Sequence, residues 1–162
     1  MLALAQWLEH TSVSQEIQKA LWLIPLLQTT HIIAIAMALS SVLMIELRIL
    51  GFGKSLTVTE TAARYAPWLW TGLILLAVTG LALIIGEPRR ALPNPAFQIK
   101  MLLLAVTLAV AAVFQVSLVR STAFWEGQSL GRKLAGGFAV IVFFLWCAIA
   151  IAGRWIAYMH TA

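Results

Sequence analysis

Residues 20–45 read ALWLIPLLQTTHIIAIAMALSSVLMI, and this stretch decides the fold class of the chain. It contains no Asp, Glu, Lys or Arg, and a helix needs about 20 mostly apolar residues to cross a bilayer. Further apolar stretches of similar length follow it along the chain. We therefore predict an all-α integral membrane protein whose first membrane span is this stretch.

The composition of the whole chain agrees with a membrane location. Of its 162 residues, 62% are hydrophobic and 10% are charged, whereas a soluble domain has about 25% charged residues. The net charge is +5, and the basic residues fall at predicted helix ends and in loops, where they contact lipid headgroups. We therefore expect the lipid bilayer as a partner and no nucleic acid. Cys147 is the only cysteine, so no intramolecular disulfide can form.

The apolar stretches predict membrane spans that belong to one transmembrane domain, residues 1–162. Gly51 and Gly53 end the first span, Pro67 suits the first helical position of the second, and the proline-rich residues 87–95 are predicted to form a loop. Spans joined in this way favour an up-down four-helix bundle. The predicted spans cover residues 20–45, 67–85, 97–119 and 134–158.

The N-terminal segment and the loop charges bear on orientation. Residues 2–9 are predicted to form a short amphipathic helix at the membrane interface with Trp7 as an anchor, and Ser12 with Gln15 forms a capping-box pattern that starts a helix near Val13. The start lacks the basic region of a cleavable signal peptide. Even-numbered spans put both termini on one side, and six Lys and Arg in the loops against five on the terminal side favour termini outside.

His31 is the polar residue that stands out in the first span. It lies nine residues after Trp22, which places it about 13 Å into the membrane, near the midplane. Helical spacing puts it on one face with small residues, which let another helix or a flat cofactor come close. We predict that His31 points into the bundle or into a subunit interface. Small residues on that face are Ala34, Ala38 and Ser41, with Gln28 one turn before His31.

The sequence leaves two interpretations of His31 open. An ionisable residue within a membrane indicates a function, which here would be a ligand to haem iron or copper, or a proton relay. The alternative is a neutral imidazole that forms a hydrogen bond with a helix carbonyl or a nearby polar side chain. The polar candidates at its depth are Thr79, Thr107 and Cys147, with Gln28 as a neighbour on its own helix.

Other charged and titratable residues fall near the ends of the spans. His10 and His160 on the terminal side are either solvated interfacial residues or part of a site there. Lys100 starts the third span, and either extends to the interface or binds a carboxylate or propionate. Glu46 and Arg48 at the other end of the first span are predicted to form an interfacial charge cluster.

Two segments resemble a bacterial four-helix inner-membrane family of unknown function. They are residues 46–51, ELRILG, and residues 79–100, TGLALIIGEPRRALPNPAFQIK. More distantly, the arrangement is similar to the copper-resistance D domain and to membrane b-type cytochromes, which are helical bundles with inward-facing histidines. The resemblance implies a bacterial inner-membrane location and a redox or metal role for His31. Family members often carry a histidine on the third span, where this chain has Gln115, so a haem with two histidine ligands from one chain is not expected.

Three functional hypotheses follow. The first is a membrane protein that binds haem b, with copper as the alternative, and transfers electrons; His31 would be the metal ligand. A second ligand would come from His10 or His160, or from another copy or a partner membrane subunit. The second is a non-enzymatic accessory or assembly subunit, and a third, less favoured, is a small-solute channel or transporter. No Ser/His/Asp set or glycine-rich phosphate loop indicates an enzyme. The predicted cofactor-binding residues are His31, His160, His10, Gln28 and Lys100.

Overall fold

The computed structural model describes the backbone of residues 2–53, 55–120, 129–156 and 158. Its side chains are described through residue 110, at residues 113 and 116, and from residue 134 onward. Every regular element in this described part is an α-helix, which confirms the predicted all-α class. The helices are α1 (Leu2–Glu9), α2 (Ser12–Lys19), α3 (Leu23–Ile49), α4 (Val58–Gly86), α5 (Pro88–Ala91), α6 (Pro95–Arg120) and α7 (Ser129–Trp155).

Three of the described helices are long and apolar enough to cross a membrane. They are α3, α4 and the Leu134–Trp155 part of α7, and α6 contributes a shorter apolar stretch, Pro95–Val110. At about 1.5 Å per residue, the 27 residues of α3 extend for about 40 Å, which exceeds the roughly 30 Å hydrocarbon core of a bilayer.

Helix α4 begins nine residues before the predicted second span. Thr57 and Glu60 form a reciprocal capping box, in which Glu60 N donates to Thr57 Oγ1 at 3.1 Å and Thr57 N donates to Glu60 Oε2 at 2.7 Å. The prediction that Pro67 starts the helix is therefore wrong. Pro67 lies inside α4, where Thr71 Oγ1 donates to its carbonyl oxygen at 2.8 Å.

Two other local predictions also change. Residues 88–91 form the single helical turn α5, so the region 87–95 is not wholly a loop; Pro88 at the first position needs no N–H partner. Helix α2 is capped by Thr11 instead of Ser12, because the Thr11 hydroxyl accepts from Ser14 N. Each change moves a helix boundary by a turn or less.

The long helices pack around a shared apolar core. Helix α3 packs along α4, and α7 packs against both α3 and α6. Val42 of α3 and Trp146 of α7 lie at the centre, and leucines of α4 and α6 surround them. Trp70, which we expected to lie as deep as Trp146, is 64% exposed.

The small residues of α3 serve close helix packing. Ala34 and Ala38 are fully buried, and a Cβ placed on Gly72 of α4 would lie 3.2 Å from Ala34 O and from Ala38 Cβ. This face was expected to leave room for a cofactor, but helix α4 fills it. That reason for a cofactor beside His31 is therefore wrong.

The N-terminal helices pack on the end of α4 and on α5. Gln18 Nε2 of α2 donates to the carbonyl oxygen of Gly86 at 3.0 Å, and Glu9 of α1 forms an ion pair with Arg89 at 2.5 Å. Trp7 remains 65% exposed, as its predicted role as an interfacial anchor requires.

Candidate functional site

His31 is half-buried on α3 and faces α4. Its Nδ1 lies 2.7 Å from Thr79 Oγ1, and the Thr79 hydroxyl donates to Leu75 O, one turn back on α4, at 2.6 Å. Thr79 is buried with 4% of its surface exposed. The predicted hydrogen bond between His31 and a polar residue at its depth is confirmed, with Thr79 as the partner.

This hydrogen-bond chain assigns the imidazole tautomer. A threonine hydroxyl has a single proton, and here it is donated to Leu75 O. Thr79 Oγ1 must then accept from His31, which places the ring proton on Nδ1 and the lone pair on Nε2. No residue of the described part forms a hydrogen bond with Nε2, so the nitrogen with ligand character is free of protein partners there.

Lys100 lies near His31 in the second turn of α6. It is half-buried and lies within electrostatic range of His31. A Cβ on Gly153 of α7 would come within 3.5 Å of Lys100 Nζ, so the side chain runs along α7 where a glycine leaves space. Among the described residues, none forms a hydrogen bond or ion pair with Lys100. We refer to His31, Thr79, Gly80, Lys100 and Gly153 together as the His31–Lys100 site.

Gly80 completes the wall beside the imidazole. A Cβ on Gly80 would lie 3.5 Å from His31 Cε1, which is an ordinary van der Waals separation. The site therefore combines an oriented neutral imidazole, an unpaired ammonium and two glycines on four different long helices. Such a set can ligate a metal through nitrogen and attract an anionic group through the ammonium.

The other predicted partners do not join this site in the described part. Gln28 is exposed and forms no hydrogen bond with His31, and Thr107 donates to Leu103 O on its own helix at 2.8 Å. Cys147 is a half-buried free thiol. His10 is exposed after α1, away from the buried interior. His160 and the Gln115 side chain lie outside the described residues.

Only one of the predicted metal-ligand side chains is therefore placed at the site. Within the described ranges, no group of three or more His, Cys, Asp or Glu could hold a metal ion. His31 fits one coordination position of a haem or copper, because its Nδ1–H is held and its Nε2 is free. A structural metal site built from this chain's described residues alone does not fit, since such sites need about four ligands.

Glu46 is the residue whose position the sequence misled us about. It is 6% exposed and does not pair with Arg48, whose Nε donates instead to Leu56 O. The predicted charge cluster is therefore wrong. A signal for its burial exists in the sequence, because Glu46 continues the i, i+4 series of Ala38 and Val42 along the buried face of α3.

The apolar surfaces of the long helices define the class of protein. Large hydrophobic side chains such as Ile33, Ile74 and Phe144 are more than half exposed along helices that are long enough to cross a bilayer. Lipid contact accounts for this exposure, and the chain is a multi-pass membrane protein. Comparison with known protein families, curated proteins and solved structures finds no match to this chain. Its function must therefore be argued from its own residues.

Proposed function

We propose that this protein binds haem b through Nε2 of His31 and transfers electrons in the bacterial inner membrane, with copper as the alternative ligand. The observation that carries the proposal is the hydrogen-bond chain from His31 Nδ1 through Thr79 Oγ1 to Leu75 O. Histidines that ligate metals almost always donate their other ring N–H to a partner, which fixes the ring and the tautomer. Haem b would supply one-electron chemistry, and histidine is a common axial ligand of haem iron.

Lys100 supports the same proposal from the neighbouring helix. An ammonium held between helices without a described partner favours an anion, and a charge-assisted bond to a carboxylate is stronger than a neutral one. Haem carries propionate carboxylates, so Lys100 would hold one of them while His31 holds the iron. Gln28 is not part of this proposal, because it is exposed.

The proposed assembly includes more than the described site. Helix α6 would be the fourth span of an up-down four-helix bundle, with both termini outside. Since the described part of the chain offers one nitrogen ligand at the site, a second axial ligand would come from a second copy or from a partner membrane subunit. His10 and His160 are the histidines that another copy could bring.

An absorption spectrum of the detergent-purified full chain tests the haem proposal. We expect a Soret band that shifts on reduction with dithionite, and we expect His31→Ala to lose it. His10→Ala is the matched control, because it removes an exposed histidine and should keep the band. Circular dichroism and gel filtration establish that each variant is folded. A wild-type protein with neither a Soret band nor bound copper or iron, or a His31→Ala variant that keeps its cofactor, would contradict the proposal.

A second candidate function is an accessory or assembly subunit without a cofactor. The observation that favours it is that the His31–Thr79 bond joins α3 and α4 beside the tight contact of Gly72 with Ala34 and Ala38. His31 would then act as a polar link between helices. In that case His31→Ala lowers the melting temperature, while the wild-type spectrum contains no chromophore. A channel is not favoured, because Val42, Trp146 and their neighbours fill the described centre of the bundle.

A further inference from the structure

The Glu46 carboxylate is a buried charge-bearing group that the proposed function does not use. It lies near the end of α3, fifteen residues beyond His31, or about 22 Å along the helix axis. Neither of its oxygens has a hydrogen-bond partner in the described part of the chain. A buried carboxylate without a partner costs several kcal/mol in folding, so native proteins rarely keep one without a reason.

The side chain of Glu46 lines a cavity of about 230 Å³ between α3 and α7. All the other lining residues are apolar, and two of them are the phenyl rings of Phe143 and Phe144. These rings meet edge to face with centroids 5.9 Å apart. Phe144 and Val140 are exposed on the outer surface of α7, so the cavity can be reached from the side of the helices.

The chemistry of these walls selects the ligand. A metal cation such as Ca²⁺ or Mg²⁺ takes six or more oxygen ligands, and this cavity offers one carboxylate. An organic ammonium needs one carboxylate for its charge and apolar or aromatic walls for its body, since cations bind favourably over aromatic faces. The volume is below the roughly 300–1,000 Å³ of drug-sized ligand sites, which limits the body to about one ring or a short chain.

We propose that the cavity between α3 and α7 is a binding site for a small organic ammonium, with Glu46 as its counter-ion and Phe143 and Phe144 as its walls. The ammonium could belong to a free hydrophobic amine or to the headgroup of a lipid. Both present the same charged nitrogen to the carboxylate. The site is separate from the His31–Lys100 site and lies toward the other end of α3.

Isothermal titration calorimetry of the full chain in an uncharged maltoside detergent tests the site, with protonated 2-phenylethylamine as the probe. We expect saturable binding, and we expect the isosteric Glu46→Gln variant to bind roughly ten- to a hundredfold more weakly, because a hydrogen bond to a charged group is lost. Glu16→Gln is the matched control: it removes an exposed carboxylate at the opposite end of the protein and should bind like wild type. The neutral analogue 2-phenylethanol should bind more weakly than the amine.

A second variant separates the cavity from the charge. Val140→Phe adds bulk at the exposed rim while Glu46 stays in place, and it should also weaken binding. The proposal is overturned if wild type does not bind the probe, if Glu46→Gln binds it as well as wild type does, or if the alcohol binds as tightly as the amine.

Added lipid identifies the natural source of the ammonium. Phosphatidylethanolamine that weakens probe binding, compared with the same amount of phosphatidylglycerol, supports a lipid headgroup as the occupant. Equal probe binding with both lipids supports a free amine. Both results support the site, provided that binding depends on Glu46.

Discussion

His31 and Thr79 show what a single pair of residues contributes to this protein. A histidine within a long apolar stretch can be recognised as unusual from the sequence, since ionisable residues inside a membrane are costly. Its partner could not be chosen from the sequence, because Thr79 and Thr107 lie at similar depths on different helices. Packing decides between them: Thr79 faces α3, whereas the Thr107 hydroxyl bonds to its own helix.

The Thr79 hydroxyl should stabilise the native state by a modest amount. Thr79→Val keeps the shape and removes the acceptor of the His31 Nδ1–H, and we expect it to lower the free energy of unfolding by about 0.6–2 kcal/mol, the range of hydrogen bonds between membrane helices. Thr71→Val is the control, because Thr71 is exposed and bonds only to its own helix. Unfolding in mixed micelles measures both. A Thr79→Val variant as stable as Thr71→Val would show that the bond contributes nothing.

At the scale of helices, boundaries followed local chemistry that was partly visible in the sequence. The Thr57–Glu60 capping box starts α4 well before Pro67, and Thr57 with Glu60 is a standard sequence signature of a helix start. The proline received more weight than the cap, and the predicted boundary was wrong for that reason. A proline inside a membrane helix is tolerated because nearby hydroxyls satisfy the freed carbonyl, as Thr71 does here.

The close contact of α3 with α4 depends on Gly72. Gly72→Ala should destabilise the protein by about 1–3 kcal/mol, because the new methyl group would lie 3.2 Å from Ala34 O and Ala38 Cβ. In Gly137→Ala, the matched control, the methyl group meets nothing within 4 Å, and the change should be neutral or stabilising by up to about 1 kcal/mol. Melting temperatures of the two purified variants compare them directly. Equal stability would mean that α4 can move away from α3 without cost.

For the whole molecule, α3 connects two polar positions that differ in their surroundings. His31 lies nearer the end on which α1 and α2 pack, and Glu46 lies near the other end. Between them the core is apolar, with Val42 and Trp146 at its centre. The described interior thus separates the two positions by packed hydrocarbon, so we expect a ligand at one to leave the other unaffected.

The orientation of the chain follows from which side its loops face. In a Cys147→Ser background, His10→Cys and Ser55→Cys each place one cysteine at an exposed position on either side of α3. With termini outside, a membrane-impermeant maleimide should label position 10 in intact spheroplasts and position 55 only after the membrane is broken. The reverse pattern would contradict the proposed orientation. Labelling of both positions in intact spheroplasts would contradict a membrane span between them.

The sequence by itself determined the all-α membrane class, because long uncharged stretches have no other stable arrangement in a bilayer. It also identified His31 as the residue to explain, and it included Thr79 among the candidate partners. Tertiary structure alone decided that α4 fills the small-residue face of α3 and that Glu46 turns toward α7 instead of pairing with Arg48. The reason is physical: helical periodicity specifies which residues share a face, but which helix covers that face depends on the packing of distant parts of the chain.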